Sequence, residues 1–265
     1  MILIRQEIRW ERGTVRLTKV SLVGLLCGMN PSKPLYFRHR FPSEIISHCV
    51  WLYFRFSLSY RDIEEMMAER GVVVTYGTIR NWSKKFDGIY AKRMRSRSKK
   101  ANDQWHLDEV YLSINGKTHY LWRAVDQDGE VLDILVQPRR NKRAAKKFFQ
   151  KLLKRLQYVP RLIITDKLGS YATAKAEIMP QIKHIQSKGA NNRAENSHQP
   201  TRERERRMRR FKSPGHAQRF LATYGVIASF FRPGRHLLSA KNYCEIMHRR
   251  FTEWSEIVDS GYITQ

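Results

Sequence analysis

The sequence predicts a mixed α/β domain over residues 104–235, set behind a small all-helical module. Three observations predict it. At Gln104 the hydrophobic period changes from helical spacing to alternation. Asn115-Gly116 and Asp128-Gly129 separate three apolar segments in the manner of hairpin turns. Beyond them, helical and strand patterns alternate up to a helix that runs into a dense arginine stretch.

Composition bounds the rest. The chain has 265 residues, 42% hydrophobic and 11% aromatic, enough for a real core. Its formal net charge is +26 and its pI is about 10.4. Self-repulsion at that charge calls for a polyanionic partner. Basic residues are spread over every segment rather than one amphipathic face, which favours nucleic acid over a membrane surface. No run approaches the roughly 18 apolar residues a membrane span needs. Cys27, Cys49 and Cys244 are few and far apart, against a disulfide scaffold or a zinc site and in favour of a reducing compartment.

Taken in order, residues 1–33 form an extension of unknown role. Arg12, Arg16 and Lys19 precede an apolar run, Val20 to Met29, that mimics a signal peptide but lacks a cleavage site; a natural start at Met29 is the plainer expectation. Residues 34–91 read as three short helices. Pro42-Ser43-Glu44 opens the first, Ser59 caps the second with Asp62 in its first turn, and Gly71 closes it. The third starts near Thr75 and turns Ile79, Trp82 and Phe86 inward, leaving Tyr76, Arg80 and Lys84 outward. This is the helix-turn-helix pattern of DNA-binding modules. Residues 92–103, beginning KRMRSRSKK, read as a solvated basic linker.

Trp105–Ile114, His119–Val125 and Val131–Val136 then read as an antiparallel meander. A long helix, Lys142–Leu156, buries Ala145, Phe148, Phe149 and Leu152. A strand Leu162–Thr165, a helix, a strand near His184-Ile185 and the helix with Glu195 follow. That order is the ribonuclease-H-like fold of retroviral-integrase-type catalytic domains. Residues 236–265 are expected as a C-terminal helical segment.

Asp108 sits mid-strand among apolar residues, and Asp166 ends the strand LIIT. An aspartate in a buried strand is costly unless paired or metal-bound. Asp166 has a plainer alternative as a helix cap. Glu109 is expected on the opposite strand face and is not counted. Asp126, Asp128 and Asp133 are expected as turn or surface residues, and Asp103 as solvated. Glu195 precedes seven basic residues against two acidic ones between Arg202 and Lys212. Asp108, Asp166 and Glu195 suit two Mg²⁺ ions, with Mn²⁺ able to substitute, for phosphoryl transfer on a nucleic-acid backbone.

WHLDEVYLSINGKTHYLWRAVD at 105–126, LIITDKLGSY at 162–171 and NNRAENSHQPTRERERRMRRFKS at 191–213 resemble the DDE transposases of bacterial insertion sequences, most closely the insertion sequence six family. RHRFPSEIISH at 38–48 and YRDIEEMMAERG at 60–71 are similar to that family's N-terminal region. The resemblance implies that Asp108, Asp166 and Glu195 bind the metals and that Arg202, seven beyond Glu195, handles the transposon end. It implies 3′-end nicking, joining to target DNA and replicative cointegrates. Two ends cut by one active site each imply a homodimer or higher oligomer on DNA, in the bacterial cytoplasm. The 28 residues between Asp166 and Glu195 are few for the wider family.

Arg206 and Arg209 are further candidates for phosphate contact, and His198, one turn past Glu195, for steadying a metal-binding carboxylate. His106, Trp105 and Trp122 are expected in the core, and Asn191 and Asn192 as caps of the Glu195 helix. Pro200 predicts a bend or break near Gln199-Pro200 that separates a metal-binding turn from an arginine arm. A repressor without activity and a nuclease of the same fold are the competing functions.

Overall fold

A computed structural model describes residues 4–11, 14–21, 34–97, 103–187 and 189–259; nothing is stated of side chains at 4–21, 190, 192, 193, 195, 196 and 236. Residues 22–29 of the apolar run, with Cys27 and the candidate start at Met29, lie outside the described residues, as do 98–102 of the expected linker. In the extension, β1 (Ile4–Glu11) and β2 (Thr14–Ser21) pair antiparallel as a separate sheet.

The helical module comprises α1 (Ser43–Arg55), α2 (Tyr60–Glu69) and α3 (Tyr76–Arg97). Ser59 and Asp62 form a reciprocal capping box at the start of α2. The chain turns after α2 at Gly71, whose φ of +73° an L side chain rarely adopts. Ile45, Ile46, Cys49, Val50, Ile63, Met67, Ile79, Trp82 and Phe86 are buried between the three helices.

The expected linker meets a helix instead. α3 continues to Arg97 with Tyr90, Ala91 and Met94 buried, so the apolar spacing begun at Ile79 runs on beneath the charges. The arginines there have partners: Arg93 donates to the Ile257 carbonyl, Arg95 to the Ala222 carbonyl, and Arg97 pairs with Glu256 at 2.9 Å. A run of cations looked solvated because its partners come from distant sequence.

Five strands form one sheet: β3 (Gln104–Ile114), β4 (Lys117–Asp126), β5 (Val131–Gln137), β6 (Leu162–Thr165) and β7 (Lys183–Gln186), in the order β5-β4-β3-β6-β7. β3, β4 and β5 are antiparallel; β6 runs parallel to β3, and β7 parallel to β6. Asn115 and Gly116, both with positive φ, join β3 to β4 in the two-residue turn expected. This topology makes the fold ribonuclease-H-like.

Helices α4 (Lys142–Leu156) and α5 (Gly169–Ile178) cover one face of the sheet. Trp105, Leu107, Trp122, Phe148, Phe149 and Tyr171 form the core there, and both tryptophans are fully buried. On the other face lie α6 (Asn192–Arg207) and α7 (Pro214–Phe230), while α8 (Ala240–Asp259) packs on α1 and α3. Val110, Leu112, Ile134 and Val136 of the sheet share one hydrophobic cluster with α1, α3, α7 and α8. One hydrophobic cluster therefore joins the helical module to the sheet. Among the described residues no helix is long and apolar enough to cross a membrane.

Asp133 corrects its expectation. It lies within β5, only 5% exposed, and pairs with Lys151 at 2.9 Å and Arg155 at 3.5 Å. Long basic side chains of α4 reach inward to a charge the sheet buries. Asp126 is a turn residue as expected, but a buried one, accepting from the backbone N–H groups of Asp128 and Glu130 at 2.9 Å each. Asp103 is exposed and pairs with Arg161.

Candidate active site

β6 is short and β3 is long, and that mismatch makes the site. The last paired position is Leu107 with Thr165, so β3 continues past the end of β6 from Asp108 onward. Asp166 follows immediately after β6. Asp108 and Asp166 thus emerge side by side at the C-terminal ends of neighbouring parallel strands, the edge where α/β sheets gather their ligands. Carboxylate oxygens of Asp108, Glu109 and Asp166 all lie within 4.8 Å of one another.

Glu109 joins the aspartates although strand alternation points it to the opposite face. Alternation does send it to the α5 face, where its side chain is 1% exposed. Beyond the end of β6, however, the edge of β3 is open, so Glu109 from one face and Asp108 from the other both reach Asp166. Arg140, just ahead of α4, bridges the acids: its Nη2 lies 2.5 Å from Glu109 Oε1 and 3.3 Å from Asp166 Oδ2. Burial pushes the Glu109 carboxyl up to about 7; Asp166 and Asp108 add to the rise, while Tyr171 and Arg140 oppose it. Burial and the nearby acids, Glu109 first, hold the Tyr171 hydroxyl far above its ordinary value, so it stays protonated. The signal for Glu109 was the acidic pair itself, in a strand buried on both faces.

Asp166 accepts from the Leu168 N–H at 3.1 Å and does not cap α5, whose N-cap is Leu168. Its remaining oxygen is turned to Arg140.

The other wall of the site is α6. Its entry is pinned by Asn191, 3% exposed, which donates its amide to the Leu107 carbonyl at 2.8 Å. Asn191 is therefore an anchor rather than a side-chain cap, since it makes no capping bond; the Asn192 side chain lies outside the described residues. Glu195 is in the first turns of this helix, and its side chain also lies outside the described residues. His198, one turn on, brings Nε2 to 3.6 Å from Asp108 Oδ2, too long for a hydrogen bond. Burial, then Arg123 and Arg202, hold His198 well below its ordinary value, so its ring is neutral. His106 is 4% exposed beside Gln104, packed as expected.

Pro200 does not break the helix. α6 runs unbroken from Asn192 to Arg207. Donors from neighbouring elements tie this stretch of α6 to β4 and α7. Arg123, opposite Asp108 on β4 and 2% exposed, donates to the Ser197 carbonyl and, at 2.6 Å, to Thr201 Oγ1. Tyr224 donates to the Pro200 carbonyl at 3.0 Å. The chain leaves the helix only after Arg207, through left-handed Arg209 and Arg210. Arg202 therefore stays on one continuous helix with Glu195, two turns away.

Arg202, Arg206 and Arg209 are exposed, as are Tyr76, Arg80 and Lys84 on α3. Arg204 breaks the series: it is 1% exposed, donates to the Leu58 carbonyl at 2.7 Å and lies 4.4 Å from the Tyr53 ring centre.

Residues 102–233 match a family model described as a DDE domain. Over 209 residues the chain is 34% identical to the transposase for the insertion sequence-like element IS431mec of Staphylococcus aureus, covering 77% of this chain and 92% of that one. The chain belongs to the DDE transposases of bacterial insertion sequences, in the insertion sequence six family. It is 33% identical, over the same shares, to the transposase of IS257 in transposon Tn4003 of Staphylococcus aureus. A solved integrase catalytic core from HTLV-2, in complex with magnesium, covers 57% of this chain and 100% of its own at 14% identity and a TM-score of 0.37, too loose a likeness to add to the topology. As a DDE transposase the chain is an enzyme of DNA transposition, and its family implies a divalent metal. The clustered oxygens of Asp108 and Asp166 fit such an ion, since hard carboxylate donors suit Mg²⁺.

Proposed function

We propose that this transposase binds the ends of its insertion sequence, nicks them to free 3′-hydroxyls and joins those hydroxyls to target DNA. The observation that carries this is the meeting of Asp108 and Asp166 at the end of two parallel strands, beside the helix that bears Glu195. Asp108, Asp166 and Glu195 would hold two Mg²⁺ ions, for which Mn²⁺ can substitute. When bound, such ions polarise the phosphodiester and activate the attacking water or hydroxyl.

The protein's own residues supply the rest. Arg140 fixes Asp166 and Glu109. Neutral His198 stands beside Asp108 without adding charge. Asn191 and Arg123 seat α6 against β3 and β4, which sets the height of Glu195 over the sheet. Arg202, Arg206 and Arg209 hold phosphates near the site, and Tyr76, Arg80 and Lys84 meet DNA from α3, with residues 34–97 as the helix-turn-helix unit. Two ends require two active sites, so the working form is a homodimer or larger assembly on DNA, in the bacterial cytoplasm.

One observation favours a second reading of the acids. Among the described residues, it is Glu109 whose carboxylate lies beside those of Asp108 and Asp166. Its pairing with Arg140 and its face toward Tyr171 support a positioning role instead.

The test is a joining reaction with labelled end DNA, a target plasmid and Mg²⁺, run with the intact chain and with Asp108→Asn. The intact chain should give nicked ends and joined product, and the variant neither. Equal products from both would overturn the catalytic assignment. Binding without either product from the intact chain would leave a repressor, and nicking without joining a nuclease.

A further inference from the structure

A cleft of about 810 Å³ opens between the α1–α2 turn, the first turns of α3, the end of α6 and the start of α7. Six cations line it: Arg80 and Lys84 from α3, Arg204, Arg207 and Arg209 from the end of α6, and Arg219 from α7. Its two acids, Asp62 and Asp87, are engaged by the backbone N–H groups of Ser59 and Gly88. Among the described residues none of the six cations forms an ion pair. Like charges from three helices facing one space are costly unless an anion sits between them.

Arg204 sharpens the point. Nε and Nη2 of this buried guanidinium have no hydrogen-bond partner among the described residues, while its Nη1 is tied to the α1–α2 turn. A buried cation without a carboxylate is itself a demand for nearby negative charge. On the rim, His216 is held below its ordinary value first by burial and then by Arg219, Lys84 and Lys212, a sign of positive potential there.

The geometry points to a DNA-backbone channel in this cleft, in which one strand of the transposon end passes between α3 and the end of α6 with phosphates against Lys84, Arg207 and Arg219. The volume lies in the range of small-ligand sites, about 300–1,000 Å³, so it takes a stretch of one sugar–phosphate backbone rather than a whole duplex. The inference rests on the transposase reading and extends it. Arg207 and Arg219 become DNA-binding residues, and the surface of α3 and the arm behind Glu195 engage one continuous piece of DNA.

The experiment is fluorescence anisotropy of the full chain in EDTA, with a labelled duplex carrying the element's end and one of scrambled sequence, across a salt series. Arg207→Ala/Arg219→Ala should bind both duplexes about tenfold more weakly at 0.1 M salt, with a log–log salt slope shallower by about 2, one for each lost phosphate contact. Lys241→Ala, which removes an exposed cation on α8 outside the cleft, should change neither. Should the double variant melt early, Lys84→Gln serves instead, with a slope change of about 1. Variants that match the wild type in affinity and slope, at an unchanged melting temperature, overturn the channel while leaving the transposase reading intact. No binding by the wild type overturns both.

Discussion

Asp108 and Glu109 leave β3 on opposite faces, one toward His198 and the other toward Tyr171, yet their carboxylates meet at the same aspartate. Strand alternation alone separates them; the open edge past Leu107 reunites them. The burial of Glu109 has a measurable consequence. Burial pushes its carboxyl up to about 7 from the ordinary 4.5, so between those values the folded chain holds a proton the unfolded chain has released. Stability therefore falls as pH rises through that window and is level above it. Glu109→Gln should remove that fall, worth at most about 3 kcal/mol. Urea unfolding in EDTA at pH 5 and pH 8 checks this: parallel pH profiles for variant and wild type would contradict it. Asp108 and Asp166 were legible because an acid in an apolar strand stands out. Arg140, Tyr171 and Arg204 were not, because they look like ordinary members of a basic run, a helix and an arginine arm.

At the scale of elements, every strand from Gln104 to Gln186 and the presence of helices α4, α5 and α6 were legible from period and turn residues, though not the unbroken run of α6 through Pro200. What escaped was what tertiary contacts decide. α3 extends through a basic stretch because Met94 is buried and the arginines find carbonyls. α6 runs through Pro200, with Arg123 donating to the Ser197 carbonyl before it and Tyr224 to the carbonyl of Pro200 itself. A helix spanning a proline that costs about 3 kcal/mol should depend on those donors. Arg123→Met should destabilise the fold by about 2–4 kcal/mol, measured by urea unfolding, since it removes two buried bonds to α6. A loss below about 0.5 kcal/mol would mean that α6 passes Pro200 unaided. At the other end of the range, Ser59→Ala removes one cap of an exposed helix start and should cost about 1 kcal/mol.

At the scale of the molecule, the helical module and one sheet face share a single hydrophobic cluster, from Ile46 and Phe86 through Val110 and Ile134 to Trp254. The sequence suggested two domains and a linker, because composition shifts at residue 92 and only the folded chain shows what those residues touch. A shared core predicts cooperative unfolding. Far-ultraviolet circular dichroism and tryptophan fluorescence should give one coincident transition for the whole chain. Two separated transitions would restore an independent N-terminal domain.

In the proposed function Asp108, Asp166 and Glu195 form the catalytic set and Glu109 supports them. The direct measurement is single-turnover nicking of labelled end DNA in Mg²⁺ by Glu195→Gln and by Glu109→Gln. Glu195→Gln should lose about 10³-fold in rate, the several kcal/mol a metal-holding carboxylate supplies, and Glu109→Gln no more than about tenfold. The reverse order, with Glu195→Gln near wild type and Glu109→Gln inactive but folded, would contradict the account and make Asp108, Glu109 and Asp166 the catalytic acids.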